Sequence, residues 1–178
     1  MSSNEATTPA AAFIDVAGRA VRYTAAGSGP AVLLLHGLDR SLGNWAPLQA
    51  VLPDHRLIAI DVPGFGRSQP LPDCRLASLA GHVERVLDRL GLTSAVHVVG
   101  NSLGGAIAMQ LAAHAPARVS SLALLNSAGF GRECNELVAP VRIGGAHNDR
   151  PRFTAPDQDL VEVVGITLST HDRRYSTS

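Results

Sequence analysis

In Gly100-Asn101-Ser102-Leu103-Gly104 an alcohol stands between two glycines, where the apolar run AVHVVG gives way to SLGGAIAMQLAAHA. A serine hydroxyl can attack a carbonyl carbon if the backbone lifts it clear of its surroundings and a base accepts its proton. Glycines two positions before and two after remove the side chains that would collide in so tight a bend. A helix starting at the serine also aims main-chain N–H groups and a partial positive charge at the same point, which would stabilise the oxyanion of that attack. The alternative is that Ser102 only caps the helix. The order strand, turn, helix favours the nucleophile.

Such a serine needs elements that hold it. AVLLLHG, HRLIAIDVPG, AVHVVG and VSSLALLNSAG are short, nearly all-apolar runs, each closing on glycine. Their lack of alternation predicts strands buried on both faces. Helical patterns lie between them: APLQAVL at 46–52, LASLAGHVERVLDRLG at 76–91 and SLGGAIAMQLAAHA at 102–115. In the second, Leu76, Leu79, Ala80, Val83, Val86, Leu87 and Leu90 form one apolar stripe, with Glu84, Arg85, Asp88 and Arg89 outside it. The third is apolar nearly all round, which predicts burial, and Pro116 follows its end. Ahead of these, AFIDVAGRAVRYTAAG predicts an antiparallel hairpin about Ala17-Gly18, broken by GSGP at 27–30. The fold expected is α/β: a mostly parallel sheet with helices on both faces and an N-terminal antiparallel hairpin.

A chain of 178 residues with 46% hydrophobic side chains suits one domain. Fifteen basic and fifteen acidic residues cancel, and no basic stripe is interleaved with aromatics. That argues against nucleic acid or a membrane surface as partner and for a small neutral molecule. MSSNEATTPAAA lacks a positive start and a long apolar block, so residues 1–12 read as a disordered leader, not a signal or an anchor. Cys74 and Cys134 are too few for a disulfide framework and lack metal-ligand spacing, which fits free thiols in a cytoplasmic protein. Nothing in the sequence fixes an oligomeric state.

Three segments together resemble the α/β-hydrolase family. LLLHGLDRS at 33–41 is similar to its strand and His-Gly oxyanion turn, DVPGFGRS at 61–68 to its D-x-P-G-x-G-x-S loop, and GNSLGG at 100–105 to its nucleophile elbow. The resemblance covers about residues 13–131 and implies a hydrolase core there. It implies oxyanion donors in the main-chain N–H groups of Leu38 and Leu103, with His36, Gly37 and Asn101 lining the substrate site. His36 would shape the turn and not move protons, and Asp61 would brace its loop, because the family order is Ser, then acid, then His. A serine at the elbow argues against epoxide hydrolases and haloalkane dehalogenases, which use aspartate there. Leu38-Asp39-Arg40, in place of a glycine-proline run, favours an esterase over a carbon–carbon bond hydrolase. No metal or organic cofactor is implied.

The same resemblance calls for an acid and a base downstream. About 47 residues follow Gly131, which is short for the family's lid, strands and closing helix, so 132–178 reads as a shortened, atypical and partly disordered end of the domain. PVRIGGAHND at 140–149 nominates Asp149 as the acid, and LVEVVGITLSTH at 160–171 nominates a last strand followed by His171 as the base. Asp157 and Asp159 are alternative acids and His147 an alternative base. With little chain left for a lid, the site should be open to solvent. His82, His97 and His114 read as core, surface or helix-end histidines, and Trp45 and Phe65 as packing or rim residues. The function expected is a serine hydrolase acting on an ester, thioester or similar acyl bond of a small molecule. The alternative is a truncated or inactive hydrolase scaffold that binds a ligand or partner without turnover. A nucleotide-binding protein fits poorly, because GNSLGG lacks the dinucleotide-loop spacing and no G-x-x-x-x-G-K-[ST] occurs.

Overall fold

The computed structural model describes residues 9–128 and, beyond them, the strand backbones at 143–144, 152–153 and 161–166. The hairpin forms first, with β1 (Ala12–Val16) antiparallel to β2 (Arg19–Ala26) and Val16 opposite Arg19. Ala17 and Gly18 turn with φ of 52° and 76°, the left-handed pair that a two-residue hairpin needs to match strand twist. β3 (Ala31–Leu35), β4 (Arg56–Ile60), β5 (Val96–Asn101), β6 (Val119–Leu125) and β9 (Val161–Ile166) are mutually parallel. The sheet order is β1-β2-β4-β3-β5-β6-β9-β8-β7, where β7 (Ile143–Gly144) and β8 (Arg152–Phe153) add an antiparallel edge. The sheet is therefore mixed, with a five-stranded parallel core between antiparallel flanks.

Helices cover both faces of that core. α2 (Leu76–Arg89) and α3 (Leu103–His114) pack on Leu33, Leu35, Ile58, Ile60 and Val98. The opposite face, Val32, Leu34, Leu57 and Ala59, is covered by Leu42 and Trp45 of a short 3-10 turn and by Leu48 of α1 (Ala46–Val51). α2 buries its predicted stripe through Leu87, and α3 is buried continuously from Gly104 to Ala112. Ahead of α2, the Asp73 carboxylate accepts the Ser78 hydroxyl at 2.7 Å and the Arg75 N–H at 3.0 Å, and these bonds hold its pKa down at about 2.

One strand expectation is modified. β3 and β4 are buried on both faces, but β5 and β6 alternate, with His97, Val99, Asn101, Ser121, Ala123 and Leu125 only half-buried. The cover given by residues 42–48 centres on β3 and β4, so the same face of β5 and β6 keeps part of its surface. His97 meets this with polar partners, its Nδ1 lying 2.7 Å from the Ser121 hydroxyl.

Candidate active site

β3 and β5 are neighbours, yet the chain leaves them for opposite faces and opposite flanks: β3 runs through α1 to β4, β5 through α3 to β6. The two connections diverge above the carboxyl ends of these strands, opening the kind of crevice where α/β sheets bind ligands. His36, Gly37 and Leu38 follow β3 there and Ser102 follows β5, with Leu35 in register with Gly100.

Ser102 takes φ 49° and ψ −114°, a region costly for a residue with a Cβ, and the surrounding main chain holds it there. Its N–H donates to the Leu125 carbonyl at 3.0 Å, and its carbonyl accepts from Gly105, Ala106 and Ala128 at 3.0, 3.2 and 3.1 Å. The bend depends on missing side chains. A Cβ on Gly100 would lie 2.5 Å from the Gly104 carbonyl oxygen, and one on Gly104 would strike the Leu35 carbonyl. Gly37 touches the elbow itself, since a Cβ there would come within 3.1 Å of Ser102 Cβ and 3.0 Å of Asn101 Oδ1. Ser102 is half-buried, and its Oγ makes no hydrogen bond among the described residues. Within the same residues the N–H groups of Leu38 and Leu103 have no acceptor. The Leu38 side chain is exposed, as a residue contributing its main chain can be.

His36 is buried with both ring nitrogens engaged. Nδ1 donates to the Gly37 carbonyl at 2.8 Å and Nε2 accepts the Val62 N–H at 2.9 Å, an arrangement that only the neutral ring can make. Burial pushes its pKa below the ordinary histidine value, outweighing the Gly37 carbonyl and the Asp61 charge, which act the other way. The ring thus fixes the 36–38 turn to the 61–68 loop and has no nitrogen left for a substrate proton. Asp61 is fully buried and braces the same region: Oδ1 accepts the Leu42 N–H at 2.7 Å, Oδ2 the Arg67 N–H at 2.8 Å, and Arg22 lies 3.5 Å away. A Cβ on Gly66 would overlap that carboxylate.

The crevice opens into a hollow of about 300 Å³ lined by His36, Gly37, Arg40, Asn44, Trp45, Asn101 and Leu125. Asn101 spends its amide N–H on the Leu125 carbonyl at 3.1 Å. His36, Gly37, Leu38, Asn101, Ser102 and Leu103 are therefore brought together. Asp149 and His171, like Asp157, Asp159 and His147, lie outside the described residues. Asp149 falls in the connection between β7 and β8. His171 falls five positions after β9, which ends at Ile166 in register with Leu125. Sequence reading passed over Arg40, Asn44 and Leu125 as lining residues. The signal for Arg40 and Asn44 was proximity in the chain to His36-Gly37; Leu125 could be placed only through strand register.

The alpha/beta hydrolase fold is matched over residues 30–154, and the chain belongs to that family. It is 44% identical over 126 residues to the dihydrolipoyllysine-residue acetyltransferase component of the acetoin cleaving system of Cupriavidus necator, covering 69% of this chain and 33% of that one. It is 33% identical over 135 residues to a 2-hydroxy-6-oxo-6-(2'-aminophenyl)hexa-2,4-dienoic acid hydrolase of Metapseudomonas resinovorans, covering 72% and 46%. Among solved structures, that of a membrane phospholipase A, a bacterial virulence factor, superposes with a TM-score of 0.66 at 31% identity over 68% of this chain and 41% of that one. The chain thus spans a third to under half of these relatives. Among the described residues no helix is long and apolar enough to cross a membrane.

Proposed function

We propose that the protein is a serine hydrolase that cleaves an ester or similar acyl bond of a small molecule through an acyl-enzyme. Ser102 Oγ attacks the carbonyl carbon while His171 takes its proton and Asp149 orients the imidazole; the Leu38 and Leu103 N–H groups hold the oxyanion. His171 then returns the proton to the leaving group, and water attacks the acyl-serine by the same route in reverse. The observation that carries this reading is the strained, main-chain-clamped Ser102, whose hydroxyl has no partner among the described residues, beside the Gly37 turn. The base is sterically feasible. Two strand spacings separate β9 from β5, about 10 Å, and five extended residues reach about 17 Å.

The relatives support hydrolase chemistry without fixing a substrate, their names speaking of an acetyltransferase component, a phospholipase A and a dienoic acid hydrolase. A thioester is one acyl bond the same site would accept. Incubation with a fluorophosphonate probe should label Ser102, and the label together with turnover of 4-nitrophenyl esters should vanish in Ser102→Ala. Absence of labelling in a folded sample would instead favour a scaffold that binds without turnover.

A further inference from the structure

Arg40 lies two residues beyond the Leu38 amide and lines both the hollow beside Ser102 and an adjoining one of about 510 Å³ formed with Asp39, Ser41, Asn44, Gly64, Phe65 and Gly66. Its backbone is fixed on both sides. Asp39 turns left-handed at φ 51°, and two residues on the Leu42 N–H is held by the buried Asp61 carboxylate. Arg22, Arg75 and Arg118 meet Asp61, Asp73 and Asp88, while Arg19 and Arg89 donate to the carbonyls of Pro70 and Asp15. Among the described residues Arg40 donates no hydrogen bond and meets no carboxylate. It is not alone in lacking a partner there, since the side chains of Arg56 and Arg85 also have none and that of Arg67 only sits over the Phe13 ring, but of these it alone lines the hollow.

Among the described residues, the wall of the hollow next to Ser102 carries that one cation and no acid, and its histidine is held neutral. The amino end of α3 adds a partial positive charge at the serine. The Arg40 side chain is exposed and so open to a ligand in the hollow, and a carboxylate matches its planar fork of donors.

We propose that Arg40 determines specificity, reading a carboxylate on the substrate so that the site prefers acidic esters to neutral ones. As to the reaction, this rests on the serine-hydrolase reading; as to binding, it stands alone. The neutral composition that pointed to an uncharged partner describes the whole chain and not this crevice. Asp39 faces the adjoining hollow only and partly offsets the arginine.

The test compares 4-nitrophenyl hexanoate with 4-nitrophenyl hydrogen adipate, which differ by a terminal carboxylate. The full chain should favour the adipate in kcat/KM, and Arg40→Gln should lower the adipate-to-hexanoate ratio about two- to fivefold, chiefly through KM, as suits an exposed charge. Arg40→Lys should restore part of the ratio, Asp39→Asn should raise it, and 0.5 M salt should narrow it. A ratio unmoved by Arg40→Gln overturns the proposal. Should neither ester turn over, the hydrolase reading fails while Arg40 is still decided by binding. On a Ser102→Ala background, methyl hydrogen adipate should bind more tightly than dimethyl adipate by NMR titration, and that difference should disappear with Arg40→Gln. Equal binding of the two esters rejects it.

Discussion

Ser102 pays a conformational cost that its neighbours impose. Left-handed backbone at a residue with a Cβ costs about 1–3 kcal/mol, and four main-chain hydrogen bonds keep Ser102 there. Alanine in its place keeps the Cβ and the strain, whereas glycine removes both, minus about 0.5–1 kcal/mol of added backbone entropy in the unfolded chain. Ser102→Gly should therefore be more stable than Ser102→Ala by about 1 kcal/mol, although both lose the proposed nucleophile. Urea unfolding of the two variants decides it, and an alanine variant as stable as the glycine one would show that the elbow stores no strain. Gly104→Ala tests the opposite side of the bend. Its methyl meets the Leu35 carbonyl and lies 2.7 Å from the His36 carbonyl, neither of which can swing away, so a loss of about 2 kcal/mol or more is expected. The glycines were legible because steric need at this bend excludes a Cβ at positions 100 and 104, and the serine because its hydroxyl between them suggests chemistry that sterics does not ask for. The roles of Asp61 and His36 were legible only in part, since their partners, the amides of Leu42, Arg67 and Val62, are main-chain groups that no side-chain pattern announces.

At the scale of elements, α2 shows what amphipathic spacing can and cannot say. The leucine and valine stripe announced the buried face, but His82 joins that face, 1% exposed, with Nε2 unpartnered among the described residues. Burial first, then the charges of Arg85 and Arg19, push its pKa below the ordinary histidine value of 6.5. In the unfolded chain His82 takes up a proton near pH 6.5 that the folded chain refuses. Stability is thus complete above that pH and falls as pH drops toward the folded pKa, by at most about 1.4 kcal/mol per pH unit. His82→Leu should flatten this dependence between pH 7.5 and 5.5 in denaturant titrations, leaving whatever slope His36 contributes. An identical slope in the two proteins would mean that His82 is not buried neutral. Such a residue is ambiguous from spacing, because a histidine on a helix face suits core and surface equally.

For the whole molecule, the sheet order explains why the central region was readable and the end was not. Residues 31–125 alternate short apolar runs and helical patterns with right-sized connections, so the existence and order of β3 to β6 could be read, though not the half-exposed face of β5 and β6. The two-residue β7 and β8 carry no periodicity, and their antiparallel pairing is set by what remains to cover the edge beyond β9. β9 has two separable tasks under the proposed mechanism: it shields the edge of β6 from Ser121 to Leu125, and it leads to His171. A chain ending at residue 166 should keep the first and lose the second, remaining folded and labelled slowly while turnover falls at least a thousandfold, about what loss of a triad member costs. A chain ending at residue 159 should lose both, because removing Val161–Ile166 uncovers β6 as an unpaired strand open to association with other chains. Light scattering and circular dichroism of the two truncations, beside His171→Ala in the full chain, separate the tasks. If the chain ending at 166 turns ester over as fast as the full one, the proton must be taken by a residue within 1–166, and His171 is not the base.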